Sequence, residues 1–212
     1  MTPTAALLLS LALAVAVADW FAVGARRRGA EYVFKPLTMV VLIGAALALT
    51  PVSDAVRVWF VVGLVFSLAG DVFLMLPTNL FVAGLGAFLL AHVAYIVGLI
   101  ARGQHLGWLL AGVIAVVLAL ALVGRPILGA AKAGDEPGLV GPVAAYMVVI
   151  STMAACAFGT RNAFALVGAS LFYASDSLIA WGKFLHDREW GRLAVMVTYH
   201  LGQIGLVLSI AG

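Results

Sequence analysis

The sequence is poor in charged residues and contains one cysteine, and both shortages limit what the protein can be. Asp, Glu, Lys and Arg make up 10% of the 212 residues, whereas 65% are hydrophobic and the mean hydropathy is +1.16. This composition excludes an ordinary soluble domain. Because a bilayer crossing takes about 20 residues, roughly six to eight spans use nearly the whole chain and leave no room for a soluble domain.

Several motifs are also absent, and each absence weakens a class of function. There is no GxSxG, no P-loop and no GxGxxG, so serine-hydrolase and nucleotide-binding activities lack support. A single cysteine, Cys156, excludes an intrachain disulfide, and we interpret it as a small packed hydrophobe. The net charge of +3 does not indicate a nucleic-acid partner, because the basic residues are better explained as topology signals.

Apolar runs separated by short polar breaks predict an all-α, polytopic integral membrane protein with eight transmembrane helices. The runs cover residues 4–24, 35–50, 57–76, 80–101, 106–123, 138–158, 162–181 and 192–210. In the second run, Pro36 suits the first turn of a helix. No Lys or Arg precedes the first run and Arg26 to Arg28 follow it, the reverse of a signal peptide, so we expect a retained span.

The breaks between runs predict the connections. The tight break at 77–79 predicts an antiparallel hairpin of the third and fourth helices. The longest polar stretch, 124–137, predicts a linker between two halves, 1–124 and 138–212, of a single transmembrane domain, 1–212. Gly70-Asp71 lies in the third predicted helix and Ser175-Asp176 in the seventh, at corresponding places in the two halves. This favours a weak internal repeat of four helices plus four.

The basic residues predict an orientation in a cell membrane. Most of them follow odd-numbered helices: Arg26, Arg27, Arg28, Arg125, Lys132, Lys183, Arg188 and Arg192. The opposite loops hold Arg57, Arg102 and Arg161. By the positive-inside rule, the odd-numbered loops are cytoplasmic and both termini lie on the non-cytoplasmic side.

Acidic residues inside apolar runs mark a functional site. Asp71 lies within SLAGDVFLMLP, where a carboxylate costs ~2.5–3.5 kcal/mol to insert. At a rise of ~1.5 Å per residue, Asp71 and Asp176 are ~9 Å inside one membrane boundary, and Asp19 and Tyr199 are ~10 Å inside it. Lys35 opens the second helix on the same side. These residues share a depth, which predicts one site in the inner half of the membrane.

We interpret Asp71 and Asp176 as a catalytic pair. Two carboxyl groups in a low-dielectric pocket are expected to differ in protonation, so that one donates a proton and the other activates water. In the alternative, both are structural and paired with Lys35 or with polar groups of the helices. Lys35 either snorkels to the interface or neutralises a lipid phosphate or an aspartate.

The remaining polar residues leave alternatives open. His92, which lies deeper than the aspartates, is a proton shuttle, an orienting residue or an interhelix hydrogen-bond donor, and Tyr95 one turn later shares its face. Zinc sites use three protein ligands and a water, and the residues weighed for one are Asp71, His92 and His200. Their spacing is not that of a dedicated ligand set, so we expect no metal and no cofactor.

Five short sequence motifs occur in order along the chain. They lie at 34–38, at 67–71 with 76–77, at 86–88 with His92 and Tyr95, at 168–171 with 175–176, and at Tyr199. This arrangement resembles the YhhN-like membrane family, the lysoplasmalogenases. The resemblance implies an eight-span hydrolase that cleaves the vinyl-ether bond of a lysoplasmalogen to a fatty aldehyde and a glycerophospho-choline or -ethanolamine. Gln203 departs from the pattern, because some relatives have histidine there, and the role of His200 stays open.

The chemistry of the bond fits these residues. Protonation of the β-carbon yields an oxocarbenium ion, water attacks it, and the hemiacetal collapses. Asp71 and Asp176 suit the proton donor and the base, in either order, while Lys35 suits the phosphate. His92, Tyr95, Tyr199 and Asp19 are expected to complete the substrate site.

Two other functions compete with this interpretation. A secondary, proton-coupled transporter also needs intramembrane Asp, Lys and His, but its site should lie near the midplane. A non-catalytic lipid-binding protein is the third hypothesis. The two-carboxylate account requires the third and seventh helices to be neighbours. The expected partners are a lysophospholipid and membrane lipids, and the oligomeric state stays open.

Overall fold

Helices make up nearly all of the secondary structure in the computed structural model, which describes residues 1–76, 80–134, 137–186 and 188–212. The α-helices are α1 (Pro3–Gly24), α2 (Arg28–Ala48), α3 (Asp54–Met75), α4 (Phe81–Ala101), α5 (Leu106–Ala119), α6 (Arg125–Ala133), α7 (Val140–Gly159), α8 (Ala163–Phe184) and α9 (Gly191–Leu208). A π-helical segment, Leu120–Gly124, joins α5 to α6. Eight stretches in the described ranges are long and apolar enough to cross a membrane, which confirms the polytopic fold.

Two predicted boundaries are wrong. Helix α2 begins at Arg28, so Pro36 lies inside it and not in its first turn. Lys35 is therefore seven residues, about 10 Å, along the helix. The stretch 124–137 is not simply a linker, because α6 continues the fifth span and buries Ile127 and Ala131. Asp135 and Glu136 lie outside the described residues.

Helices α3 and α4 pack antiparallel through glycines that receive large side chains. The pairs are Gly63 with Tyr95, Gly70 with Phe88, Gly84 with Leu74, and Gly98 with Phe60. A methyl group at any of these glycines would overlap its partner's side chain. Close packing through small residues is typical of membrane helices. The pairing agrees with the predicted hairpin, whose break at 77–79 lies outside the described residues.

Helices α8 and α9 approach even more closely, backbone to backbone. A Cβ atom on Gly168 would lie 2.7 Å from the backbone nitrogen of Leu206, and one on Gly202 would lie 2.9 Å from that of Phe172. Ser175 adds a hydrogen bond from its hydroxyl to the carbonyl oxygen of Val195, at 3.2 Å. This pair forms a rigid platform for Asp176 and Tyr199.

The expected packing of α3 directly against α8, the seventh predicted span, is wrong. A mechanism that needs the two carboxylates in contact therefore fails, and a mechanism in which they act from separate positions remains. In the described ranges these helices share no extensive interface, whereas α9 packs along α8 and also contacts α2 and α3. The space between α3 and α8 is filled by aromatic rings, with the centroids of Phe88 and Phe172 6.1 Å apart. Helices α2, α4 and α9 begin, and α1, α3 and α8 end, at one end of the bundle, which we call the basic end.

Candidate active site

A buried ion pair and a hydrogen bond join Lys35, Asp71 and Tyr199. Lys35 Nζ lies 3.0 Å from Asp71 Oδ1, and the Tyr199 hydroxyl donates a 2.6 Å hydrogen bond to Asp71 Oδ2. The side chains of Lys35 and Asp71 are 7% and 1% exposed. Lys35 therefore does not snorkel, since its ammonium group points inward and offsets the cost of burying the carboxylate.

A second cluster consists of Asp176, Tyr146 and His92. The Tyr146 hydroxyl donates a hydrogen bond to Asp176 Oδ2. His92 Nε2 lies 3.7 Å from the same oxygen, too far for a direct hydrogen bond, and has no hydrogen-bond partner among the residues that the structure describes. His92 Nδ1 lies 2.5 Å from the carbonyl oxygen of Phe88. Because a carbonyl only accepts, Nδ1 holds the proton, and Nε2 of the neutral ring is free to accept one.

Aromatic rings separate the two clusters. The Phe172 ring lies 4.8 Å from that of His92 and 5.3 Å from that of Tyr199, measured between centroids. Asp71 and Asp176 do not contact each other, although they are near enough for their charges to interact. Each carboxylate thus has its own tyrosine donor, on either side of one aromatic wall, with the Lys35 cation beside Asp71 and the neutral His92 beside Asp176.

Helix ends place the two carboxylates at somewhat different depths. Asp71 lies four residues before the end of α3, and Asp176 lies eight residues before the end of α8. These separations correspond to about 6 and 12 Å along the helices. Both remain in the half of the bundle near the basic end, and the difference arises because α8 extends to Phe184.

Tyr95 joins the site indirectly. Its hydroxyl donates a 2.7 Å hydrogen bond to Gln203 Oε1, not to either aspartate. Its ring lies 6.5 Å from that of Phe172, which also contacts His92, so the two residues do border one aromatic cluster. Gln203, the residue that departs from the family pattern, therefore links α9 to α4.

Asp19 is fully buried on α1, and neither of its carboxylate oxygens has a hydrogen-bond partner in the described residues. It is close enough to interact electrostatically with Lys35 and Asp71. The neighbouring Trp20 donates a 3.1 Å hydrogen bond from Nε1 to His200 Nδ1. His200 consequently belongs to an α1–α9 contact and not to either carboxylate cluster.

A cavity of about 540 Å³ opens at the basic end and leads to Lys35. Five basic residues line it: Arg28, Lys35, Lys183, Arg188 and Arg192. Arg192 Nη2 also donates to both carboxylate oxygens of Glu31, at 3.0 and 2.8 Å. Trp181 and Trp190 complete its rim. A basic, partly aromatic cavity at a membrane interface suits an anionic lipid headgroup.

Tyr146, Glu31 and Arg192 were not identified from the sequence as site residues. The depth argument that selected the aspartates also applies to Tyr146, which lies six residues, about 9 Å, after the start of α7. Glu31 and Arg192 meet across 161 positions of sequence, so no local pattern indicates their pairing.

The metal ligands weighed from the sequence are not brought together. No group of three His, Cys, Asp or Glu side chains in the described part of the chain is arranged to hold an ion. Asp71 pairs with Lys35, His92 lies beside Asp176, and His200 accepts from Trp20.

Comparison with known proteins yields relatives but no structural template. A lysoplasmalogenase of Mycobacterium tuberculosis is 34% identical over 172 residues, covering 79% of this chain and 65% of that protein. Human lysoplasmalogenase TMEM86B is 32% identical over 146 residues, 69% of this chain and 60% of the human protein. The chain thus spans just under two thirds of these relatives. An uncharacterized membrane protein YhhN of Escherichia coli O157:H7 is 37% identical over 86 residues, covering 39% and 41%.

No solved structure is significantly similar to the chain. The YhhN family model, in contrast, matches residues 30–210, which include both carboxylate clusters and the lining of the basic cavity except Arg28. Because the match covers most of the chain, this multi-pass membrane protein belongs to the YhhN family.

Proposed function

We propose that the protein is a membrane-embedded hydrolase that cleaves the vinyl-ether bond of lysoplasmalogens. The observation that supports this most strongly is a basic cavity leading to two buried carboxylates, each with a tyrosine hydroxyl donor, with the Lys35 cation beside Asp71 and the neutral His92 beside Asp176. The mycobacterial and human relatives that are named lysoplasmalogenases support the same substrate class.

Asp176 is the better proton donor of the two carboxyl groups. Its side chain is 11% exposed, whereas that of Asp71 is 1% exposed and covered by Lys35 and Tyr199. A protonated Asp176 transfers its proton to the β-carbon of the vinyl ether and leaves an oxocarbenium ion. Asp71 remains an anion, which stabilises the cation through space and holds Lys35 in place.

His92 then completes the reaction with Asp176. Its unpartnered Nε2 accepts a proton from the attacking water, whose oxygen bonds to the cationic carbon. As the hemiacetal collapses, its hydroxyl returns a proton to Asp176 and forms the aldehyde carbonyl, while protonated His92 gives its proton to the leaving glycerol oxygen. In total, one water is consumed, and one aldehyde and one glycerophospho-headgroup are released. The enzyme returns to its starting protonation state.

Lys35 and the basic cavity bind the headgroup. The Lys35 ammonium group lies between Asp71 and the cavity, so a lipid phosphate there gains a cation beside the reacting bond. Arg192 is held by Glu31 at the cavity wall and offers further donors.

The test is aldehyde release by purified protein from a lysoplasmalogen, with the matching acyl lysolipid as control. In D₂O, the aldehyde should hold one deuterium at the carbon next to the carbonyl, because that carbon receives the proton from the enzyme. Equal hydrolysis of the acyl lysolipid, or no aldehyde at all, would contradict the proposal. Proton-coupled flux in liposomes without aldehyde release would favour the transporter instead, which also uses buried Lys–Asp pairs.

A further inference from the structure

A narrow apolar groove of about 60 Å³ lies beside the basic cavity. Its walls come from α3, α4, α6, α7 and α8 and from the π-helical segment, and include Phe88, Val143, Met147 and Phe184. The polar side chains in these walls include Asp176 and Tyr146, which belong to the second carboxylate cluster. The groove thus brings apolar surface directly to a proton-donating group.

The groove and the basic cavity adjoin each other. Leu74, Phe81 and Ile179 line both of them. A molecule with an anionic head and one apolar chain can therefore occupy the two at once, with the junction of head and chain at the shared wall. From Tyr173 to Phe184, the groove wall on α8 extends over about 16 Å of helix.

The π-helical segment shapes one wall of the groove. Val123 and Gly124, at its end, line the groove opposite α7. A Cβ atom on Gly124 would lie 2.6 Å from Met147 Cε, so the glycine is what leaves room for the methionine. π-bulges occur frequently at functional sites, and a methionine side chain adapts readily to its surroundings.

We propose that this groove binds the first carbons of the lysolipid's hydrocarbon chain, next to the vinyl ether, and that Met147 against Gly124 forms an adjustable part of its wall. The proposal rests on the function proposed above and adds where the chain lies. The headgroup occupies the basic cavity, the chain lies along α7 and α8, and Asp176 reaches the bond between them.

Photolabelling tests this placement without requiring hydrolysis. The probe is a saturated 1-O-alkyl lysophosphocholine with a diazirine in its chain, applied to wild-type protein in detergent micelles. We expect cross-links at the groove-lining positions of α7 and α8, which include Val143, Met147, Ile150, Tyr173 and Ala180. Because a larger side chain at Gly124 displaces the chain, Gly124→Val should reduce labelling about tenfold. Val148→Ala, at a 62% exposed position of α7, should leave it unchanged.

Two results would contradict binding in the groove. One is labelling spread over lipid-facing positions such as Val148, and the other is unaltered labelling of Gly124→Val. If Gly124→Val does not fold, the positions labelled in the wild type decide the matter. The probe lacks the vinyl ether, so the two proposals fail separately. Groove labelling without aldehyde release contradicts only the hydrolase, whereas aldehyde release without groove labelling contradicts only the chain site.

Discussion

Lys35 Nζ lies 3.0 Å from Asp71 Oδ1 in the interior of the bundle, linking α2 to α3. Neither group would be stable alone in hydrocarbon, because an isolated buried charge costs several kcal/mol. The two members of the pair have different further contacts. Lys35 lines the basic cavity, and Asp71 accepts a hydrogen bond from Tyr199 on α9. A headgroup bound to Lys35 is therefore coupled to the carboxylate behind it.

Replacing Lys35 with methionine should destabilise the protein and weaken substrate binding. The variant leaves Asp71 buried without its cation, and breaking a buried pair costs about 3–5 kcal/mol in the free energy of unfolding. Thermal unfolding in detergent and the KM for aldehyde release measure the two effects. Arg57→Met is the matched control, since Arg57 pairs with the exposed Asp54 and should change stability by less than about 1 kcal/mol. Equal unfolding temperatures for the two variants would contradict this account of the pair.

Removing the Tyr146 hydroxyl should lower kcat more than it raises KM. Tyr146→Phe leaves Asp176 without its donor, and a hydrogen bond to a charged group contributes about 1.5–3 kcal/mol, or roughly 10- to 100-fold in rate. Steady-state kinetics on a lysoplasmalogen measure the change. Thr152→Val removes a hydroxyl from an exposed face of the same helix and should retain wild-type kinetics. A Tyr146→Phe variant as active as Thr152→Val would remove Tyr146 from the mechanism.

Gly70→Ala should destabilise the α3–α4 pair. The added methyl group would overlap the Phe88 ring, and overpacking of this kind costs about 1–3 kcal/mol in the free energy of unfolding. Gly86→Ala is the control, because open space surrounds that position. Since the carbonyl oxygen of Phe88 orients His92, we also expect lower activity for Gly70→Ala. Indistinguishable melting curves for the two alanine variants would disprove the tight contact.

The spans and most of the site could be predicted from the sequence because both depend on local hydropathy and depth. An acidic residue in an apolar run is easily recognised. Counting residues from the helix ends placed Asp71, Asp176 and Tyr199 in the same half of the membrane. The start of α2 was predicted too late, because Pro36 was placed in the first turn. Prolines inside helices are tolerated in membrane proteins, and Pro36 lies inside α2. The helix α6 within 124–137 was not predicted, because the charged Arg125 and Lys132 made the stretch look polar although Ile127 and Ala131 form a buried face.

The order of helices in the bundle could not be obtained in the same way. Direct contact of α3 with α8 was expected from two matching aspartates, but pairing depends on glycine faces distributed over the chain, such as Gly70 toward Phe88 and Gly168 toward Gly205. Tyr146 was overlooked because it stands alone in its apolar run. The predicted repeat, the orientation of the termini and the division into halves remain predictions.

The two-carboxylate account is tested most directly by the kcat of aldehyde release for Asp176→Asn and Asp71→Asn. Amides keep the shape of the side chains but cannot supply an acidic proton or a negative charge. For folded protein, Asp176→Asn should lose at least about 10²-fold in kcat, the size of a general acid's contribution. Asp71→Asn should lose about as much, because it removes the anion that stabilises the cation. The exposed Asp54→Asn should match the wild type. Full activity in both variants would contradict the account.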